Sequence, residues 1–401
     1  MAPETAEEIA AWIVQAGLEG VSETALLRGF CERVAATGLR VIRGILIVDT
    51  LHPVYEGRVF RWFRDPSELS AMHEYPRLEL DDEVAMKWRQ SPFHHLTETG
   101  GVWLRCHLAA GEPARFPSVA ELGEAGHTDY LAFVHRFGGE GVIGEMDSVA
   151  SSWSTDAPGG FTVAQIKTLK RLVPKLALAI KSASLARVAA TLVETYLGRD
   201  PGRRVLAGKI ARGVADRINT VLWFSDLRGY TRITDTAEPE QIIPLLNDYA
   251  EAIIGAIHEA GGDVLKLIGD GTLAIFEARD PAQACRCALE AAELAGERIV
   301  AVNHKRAAIG LPVTQPYLAL HVGEVLYGNI GSPERLDFTV VGPAVNEVAR
   351  IAAMCRSVER DVLLSAAFAA DAAAEDRERM VSVGRYALRG VGRPQELYTL
   401  L

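Results

Sequence analysis

The chain is poor in cysteine, in net positive charge and in long apolar runs, and each shortage removes a class of function. Its 401 residues hold five cysteines, Cys31, Cys106, Cys285, Cys287 and Cys355, with no C-x-x-C pair and no even set. A disulfide framework is thereby disfavoured, and reduced thiols in a cytoplasmic protein are expected. The formal net charge of −10 runs against nucleic acid as a partner. The N-terminus, M-A-P-E-T-A-E-E, is acidic and lacks the basic-then-apolar layout of a signal peptide. No apolar run approaches the roughly 20 residues that span a bilayer, so no membrane partner is expected. What remains is an ordinary globular composition, 49% hydrophobic and 23% charged. Its length fits two or three domains, each able to bury a core.

Thr5-Ala6-Glu7-Glu8 has the pattern of a capping box ahead of a helix carrying Ile9, Trp12, Ile13 and Leu18. A second helix is expected over 23–36. Strand-like runs follow at 41–48, 58–63, 101–108, 130–137 and 141–153, separated by Asp65-Pro66, Gly111-Glu112-Pro113 and Gly138-Gly139. Residues 148–160 are polar and rich in Gly and Pro, so part of that stretch is expected to be loop. A long helix should begin near Thr162. Two helices, several strands and a closing helix define an α+β domain. Their order and size resemble a GAF-type sensory domain over residues 1–180, whose input, a small molecule or a protein, stays open. His94, His95, Trp103, His107, Tyr130 and His135 read as surface histidines and core aromatics; Cys106 and His107, adjacent on a strand, would face opposite ways.

Residues 181–204 read as a helical linker. Leu178, Leu185 and Leu192 recur every seventh residue, with Val188 and Thr195 between. That seam suits either an amphipathic helix packed on its own domain or a parallel dimer stalk. Leu197-Gly198-Arg199-Asp200-Pro201-Gly202 carries turn chemistry that should end the helix.

Chemistry concentrates after residue 205. The run V-L-W-F-S-D-L-R-G-Y-T (221–231) reads as a buried strand ending in one carboxylate, Asp226, followed by a glycine turn that opens a helix. Free amides at Gly229, Tyr230 and Thr231 suit an anion, and a carboxylate beside an anion calls for a cation between them. A helix over 238–260 leads to two strands joined at Gly269-Asp270-Gly271, a tight hairpin that presents a second carboxylate. Gly261-Gly262-Asp263 is not the Gly-Gly-Asp turn of a diguanylate cyclase, because it ends a helix and no acidic-aromatic pair follows. A further helix is expected over 281–295. Gly342-Pro343 then stops a strand and starts a helix, from one face of which Asn346 and Arg350, four apart, project together.

The motifs F-S-D-L-R-G-Y-T, K-L-I-G-D-G, L-H-V-G-E-V-L-Y-G-N-I-G, D-F-T-V-V-G-P-A-V-N-E-V-A-R and L-R-G-V-G-R-P-Q-E-L-Y, in that order, resemble the catalytic domain of class III adenylate/guanylate cyclases over 205–401. The resemblance implies a palm, a ferredoxin-like and mostly antiparallel sheet covered by helices, working as a head-to-tail homodimer. It implies that Asp226, Asp270 and the Leu227 carbonyl bind two Mg²⁺ or Mn²⁺ ions per site. The amides of Gly229–Thr231 would hold the β/γ-phosphates. Lys266 and Thr339 would read the purine, Asn346 would orient the ribose and Arg350 would contact the α-phosphate, these four coming from the partner copy. Arg389 is a candidate further phosphate contact. Thr339 departs from the family's usual Asp, and Asp337 lies two residues out of register and is not assigned to the base. Because guanine-specific members usually carry Glu at the Lys266 position, ATP is the expected substrate and cyclic AMP and pyrophosphate the products. A guanylate cyclase and a catalytically silent nucleotide-binding module are the alternatives.

Overall fold

A computed structural model describes residues 4–65, 72–76, 83–111, 115–138, 142–144, 146–277 and 280–401. The turn positions Pro66, Glu112, Pro113 and Gly139, Gly141 at the start of an expected strand, and residues 1–3 lie outside the described residues. The chain divides after Leu192 into two units.

The first unit opens with α1 (Ala6–Leu18), where the Thr5 hydroxyl accepts from the Glu8 amide and the Glu8 carboxylate accepts from the Thr5 amide. There follow α2 (Glu23–Ala36), β1 (Arg43–Asp49), β2 (Tyr55–Phe63), β3 (Met72–Pro76), α3 (Glu83–Arg89), α4 (Pro92–Thr99) and β4 (Trp103–Cys106). Then come α5 (Pro117–Glu124), β5 (Asp129–Arg136), β6 (Ser148–Thr155) and α6 (Val163–Leu197). The strands form one antiparallel sheet in the order β3-β2-β1-β6-β5-β4. Its alternating faces serve two cores. Leu46, Phe133 and Trp153 pack with Phe30 of α2 and Leu169 and Val173 of α6, whereas Tyr130, Ala132 and Ala150 pack with Phe93 of α4 and Val119 of α5.

The α+β expectation holds, with corrections. Helices α3–α5 and strand β3 span too few residues to display a period. The strand expected over 141–153 is β6, 148–155, so much of the polar stretch expected as loop is buried sheet. Its hydroxyls have partners there: Ser151 Oγ accepts from Trp153 Nε1 at 3.3 Å, and Ser154 Oγ meets His127 Nδ1 at 2.8 Å. On α6, Val188 is buried and Leu185 and Leu192 pack on the same core, so most of the seventh-residue seam belongs to the unit's own packing; Leu178 is 68% exposed. This helix also carries a window of mean hydropathy 1.6, long and apolar enough by length and composition to cross a membrane, which a search for uninterrupted apolar runs overlooked. Its buried stripe from Ile166 to Val188 is that of a core helix.

Asp129, fully buried, fixes the approach to α6. Its carboxylate accepts from Arg105, including Nη2 at 2.6 Å, and from the Phe161 amide at 2.9 Å. Asp129→Ala should destabilise this unit by about 3 kcal/mol by stranding these donors, read as a lower urea midpoint.

In the second unit Gly198, at φ 93°, breaks the chain path; a Cβ there would lie 2.3 Å from the Val264 carbonyl oxygen. The helix does not end in a turn as expected but resumes as α7 (Arg199–Leu206), with Pro201 and Gly202 inside it. Proline is tolerated there because first-turn amides lack helical partners anyway. The unit continues with β7 (Ala215–Leu227), α8 (Tyr230–Thr236), α9 (Pro239–Glu259), β8 (Asp263–Ile268), β9 (Gly271–Phe276), α10 (Pro281–Ala308), β10 (Pro316–Gly331) and β11 (Leu336–Val341). It closes with α11 (Pro343–Val358), β12 (Val362–Ser365), α12 (Ala366–Asp371), α13 (Ala374–Arg377), β13 (Met380–Tyr386) and β14 (Gln395–Leu400). The sheet order is β13-β14-β12-β10-β7-β9-β8, with β11 folded back on β10; β10–β12 is parallel and the other pairs are antiparallel. Along β7, Val221 and Trp223 face α9 and α10 while Leu222 faces the α11 side, so the central strand is gripped from both faces.

Candidate active site

The apolar run of β7 ends at Asp226, which lies opposite Tyr317 of β10, while its neighbour Ser225 lies opposite Thr272 of β9. This pairing brings the β8–β9 turn to the end of β7. Gly269 takes a left-handed φ of 64° to form the turn, and a Cβ on Gly271 would come within 3.1 Å of the Ser225 carbonyl oxygen. The flanking glycines therefore deliver Asp270, whose Oδ2 accepts from the Leu227 amide at 3.0 Å. Burial first, and the Asp270 charge second, raise the Asp226 carboxyl above its ordinary pKa. Asp226 Oδ1 is buried with no hydrogen-bond partner among the described residues.

An orphaned carboxylate oxygen beside a second acid fits a divalent cation. Among the described residues no group of three or more His, Cys, Asp or Glu forms a metal cage. A two-carboxylate site instead suits Mg²⁺, which keeps waters and shares phosphate oxygens from a substrate. Beyond Leu227 the chain turns at Gly229, left-handed at φ 69°, and α8 begins with no side chain capping its first amides. Tyr230 packs its ring on the α9–α10 side core and Thr231 is exposed, so both would act through the backbone.

A second cluster forms where β8 meets β11. The Lys266 ammonium pairs with the Asp337 carboxylate. Thr339, two residues on and therefore on the same face of β11, lies opposite Gly328 of β10 and is buried. A third element is α11, which buries Ala344, Val348, Ile351 and Cys355 and leaves Asn346 and Arg350 exposed together. Among the described residues no hydrogen bond or ion pair claims Arg350. Beneath α11, burial drops the His321 imidazole to about 4, so it is neutral; its Nδ1 meets Ser365 Oγ at 2.8 Å and its Nε2 lies 3.9 Å from Glu347. Arg389 sits exposed between β13 and β14, at the far edge of the sheet from the β8–β9 hairpin, and no described contact ties it to the other residues. Sequence reasoning set Asp337 aside; the period of two along β11 was the signal that could have kept it.

The sequence model of the family described as "Adenylate and Guanylate cyclase catalytic domain" matches residues 215–401. These residues belong to that family. The cyclase domain is 34% identical over 157 residues to an adenylate cyclase of Anabaena cylindrica, covering 38% of this chain and 30% of that protein. It is 26% identical over 222 residues to adenylate cyclase 1 of Rhizobium meliloti, covering 54% of this chain and 32% of that one. Among solved structures, the guanylyl cyclase Cya2 is 27% identical with a TM-score of 0.41, covering 46% of this chain and 93% of that chain. The chain thus spans about a third of the length of these two curated relatives.

The cyclase domain pays in stability for ionising Asp226. Because its pKa is raised in the fold, that cost is fully present above the folded pKa and fades as pH falls through it. Asp226→Asn should therefore raise the melting temperature in EDTA at pH 8 by about 2 °C, with the gain vanishing near pH 4. The same variant should lose the stabilisation that Mg²⁺ gives the unaltered chain, read by thermal melts with and without metal.

Proposed function

We propose that the cyclase domain converts ATP to 3′,5′-cyclic AMP and pyrophosphate at sites shared by two copies of the chain. The observation that carries this reading is the Asp226–Asp270 pair, two carboxylates held close with one oxygen left without a partner. The 3′-oxygen attacks the α-phosphorus in line, losing its proton as the bond to pyrophosphate breaks. Asp226, Asp270 and the Leu227 carbonyl would hold two divalent ions, which when bound acidify the 3′-hydroxyl and balance charge on the triphosphate. The amides of Gly229, Tyr230 and Thr231 receive the β/γ-phosphates. Arg350, free of other partners, meets the charge that grows on the α-phosphorus, and Asn346 orients the ribose. Lys266 and Thr339 face the base.

Sharing between copies is supported by the apolar side chains left exposed around the base-reading cluster: Leu267, Ile268, Leu326, Ile330 and Val341. An exposed group of this kind marks a surface that another protein covers. A GAF-like sensory role for the first unit is supported by its helix-covered sheet, which with α4 and α5 encloses a cavity of about 220 Å³ lined by Arg43, Arg61, Tyr130 and Ser152, among others.

Asp226→Ala or Asp270→Ala should abolish Mg²⁺-dependent cyclic AMP formation; activity retained by both purified variants would refute the acid pair's role. Arg350→Ala should lower turnover by about 10²–10³, the scale of one preorganised donor. Mixing Asp226→Ala with Arg350→Ala chains should restore activity, because each mixed dimer keeps one intact site. No recovery from dimers shown to be mixed would count against sharing.

A further inference from the structure

We propose that Asp337 is a specificity-determining residue of the nucleotide site: its carboxylate aims the Lys266 ammonium and makes the pocket select adenine. This rests on the ATP-cyclising reading of the same site. The two expected base readers do not discriminate by themselves. A threonine hydroxyl both donates and accepts, so Thr339 can meet the adenine N6 amine or the guanine O6. An ammonium only donates, and it suits adenine N1 and guanine O6 alike. Something must fix the sign of the pocket.

Asp337 has the chemistry and the place to do so. An ionised carboxylate only accepts, so it favours the N6 amine of adenine and repels the O6 of guanine. It shares the face of β11 with Thr339, two residues away. It is already paired with Lys266 across the β8–β11 junction, which removes the free positive charge that would draw guanine O6. Both side chains remain partly exposed, at 37% and 44%, so a ligand has access to them. A solvent-reached ion pair of this kind adds little to stability, so its consequence is positional. Asp337 thus supplies the acidic group that Thr339 lacks, from a position two residues earlier on the strand.

The test uses the full chain and reads the ratio of kcat/KM for ATP to that for GTP. Asp337→Asn, whose amide both donates and accepts, should lower this ratio about tenfold, the scale of one charge-assisted hydrogen bond. GTP turnover should rise in absolute terms, which damage to the fold would not produce. Asp337→Glu should keep the ratio within about threefold of the original, and Asp337→Ser serves as a second charge-removing variant should the amide fold poorly. A ratio unchanged within twofold in Asp337→Asn and Asp337→Ser, or equal losses on both nucleotides, overturns the proposal, as does a GTP preference in the unaltered chain. Equilibrium binding of ribose-labelled fluorescent ATP and GTP gives the same ratio without turnover. A chain that binds but turns over neither nucleotide overturns the cyclase reading while the binding ratio still decides Asp337. Binding of neither analogue by the unaltered chain overturns both.

Discussion

Two like charges held together without a counterion set the terms for the cyclase domain. Asp226 cannot retreat from Asp270, because β7 is clamped by Val221 and Trp223 on one face and by Leu222 on the other. Asp270 cannot retreat either, since its turn is pinned by the Leu227 amide and by a glycine packed on the Ser225 carbonyl. The repulsion is built in by the hydrophobic core, which is far larger than any single electrostatic contribution. A site whose acids are kept ionisable but unsatisfied is poised for cations, and the stability given up there is recovered when metal binds.

The other functional side chains follow the same rule of mounting polar groups on rigid elements. Asn346 and Arg350 ride on α11, whose opposite face is buried from Ala344 to Cys355. The neutral His321 packs beneath that helix, where a Cβ on Gly323 would come 2.6 Å from Ala344. Close approach of α11 to β10 at Gly323 thus brings the helix down onto the sheet and leaves its outer face free for a phosphate. Lys266, Asp337 and Thr339 likewise sit on paired strands, so their spacing is set by hydrogen-bond register rather than by loop conformation.

Much of this was legible in the residues because the chemistry coincides with strong local signals. Asp226 follows an apolar strand, Asp270 sits between two glycines in a hairpin, and Asn346 and Arg350 share a helical face after Gly-Pro. The relation of Lys266 to Asp337 was not legible, because it joins strands 71 residues apart in sequence and motif spacing counts along the chain, not across the sheet. Local signals also misled where tertiary packing outweighed them. Gly296 lies within α10, yet the helix continues to Ala308 because Ala291, Ala295 and Ile299 are buried around it, more than offsetting about 1 kcal/mol for an internal glycine. Ser-rich β6 reads as loop until its hydroxyls find partners, and Pro201 reads as a breaker until it falls in a first turn.

The segment entering the cyclase domain bears on the base-reading strand by a continuous chain of contacts. Asp200 of α7 accepts from the Tyr327 hydroxyl at 2.8 Å and from Arg204 Nε at 2.6 Å. Arg204 in turn lies over the Tyr327 ring at 4.7 Å. Burial and then the Asp200 carboxylate raise the Tyr327 phenol above its ordinary pKa, so the hydroxyl stays a donor at every physiological pH. The Tyr327 ring meets Phe338 edge-on at 5.0 Å. Phe338 sits between Asp337 and Thr339 and points to the other side of β11 from both, so Tyr327 braces the back of the surface that reads the purine. Close-packed aromatic contacts do not deform gradually. A displacement of α7 must therefore move β11 with it or break the Asp200–Tyr327 bond, and either outcome alters how Lys266 and Asp337 meet the base while leaving Asp226 and Asp270 where β7 and β9 hold them.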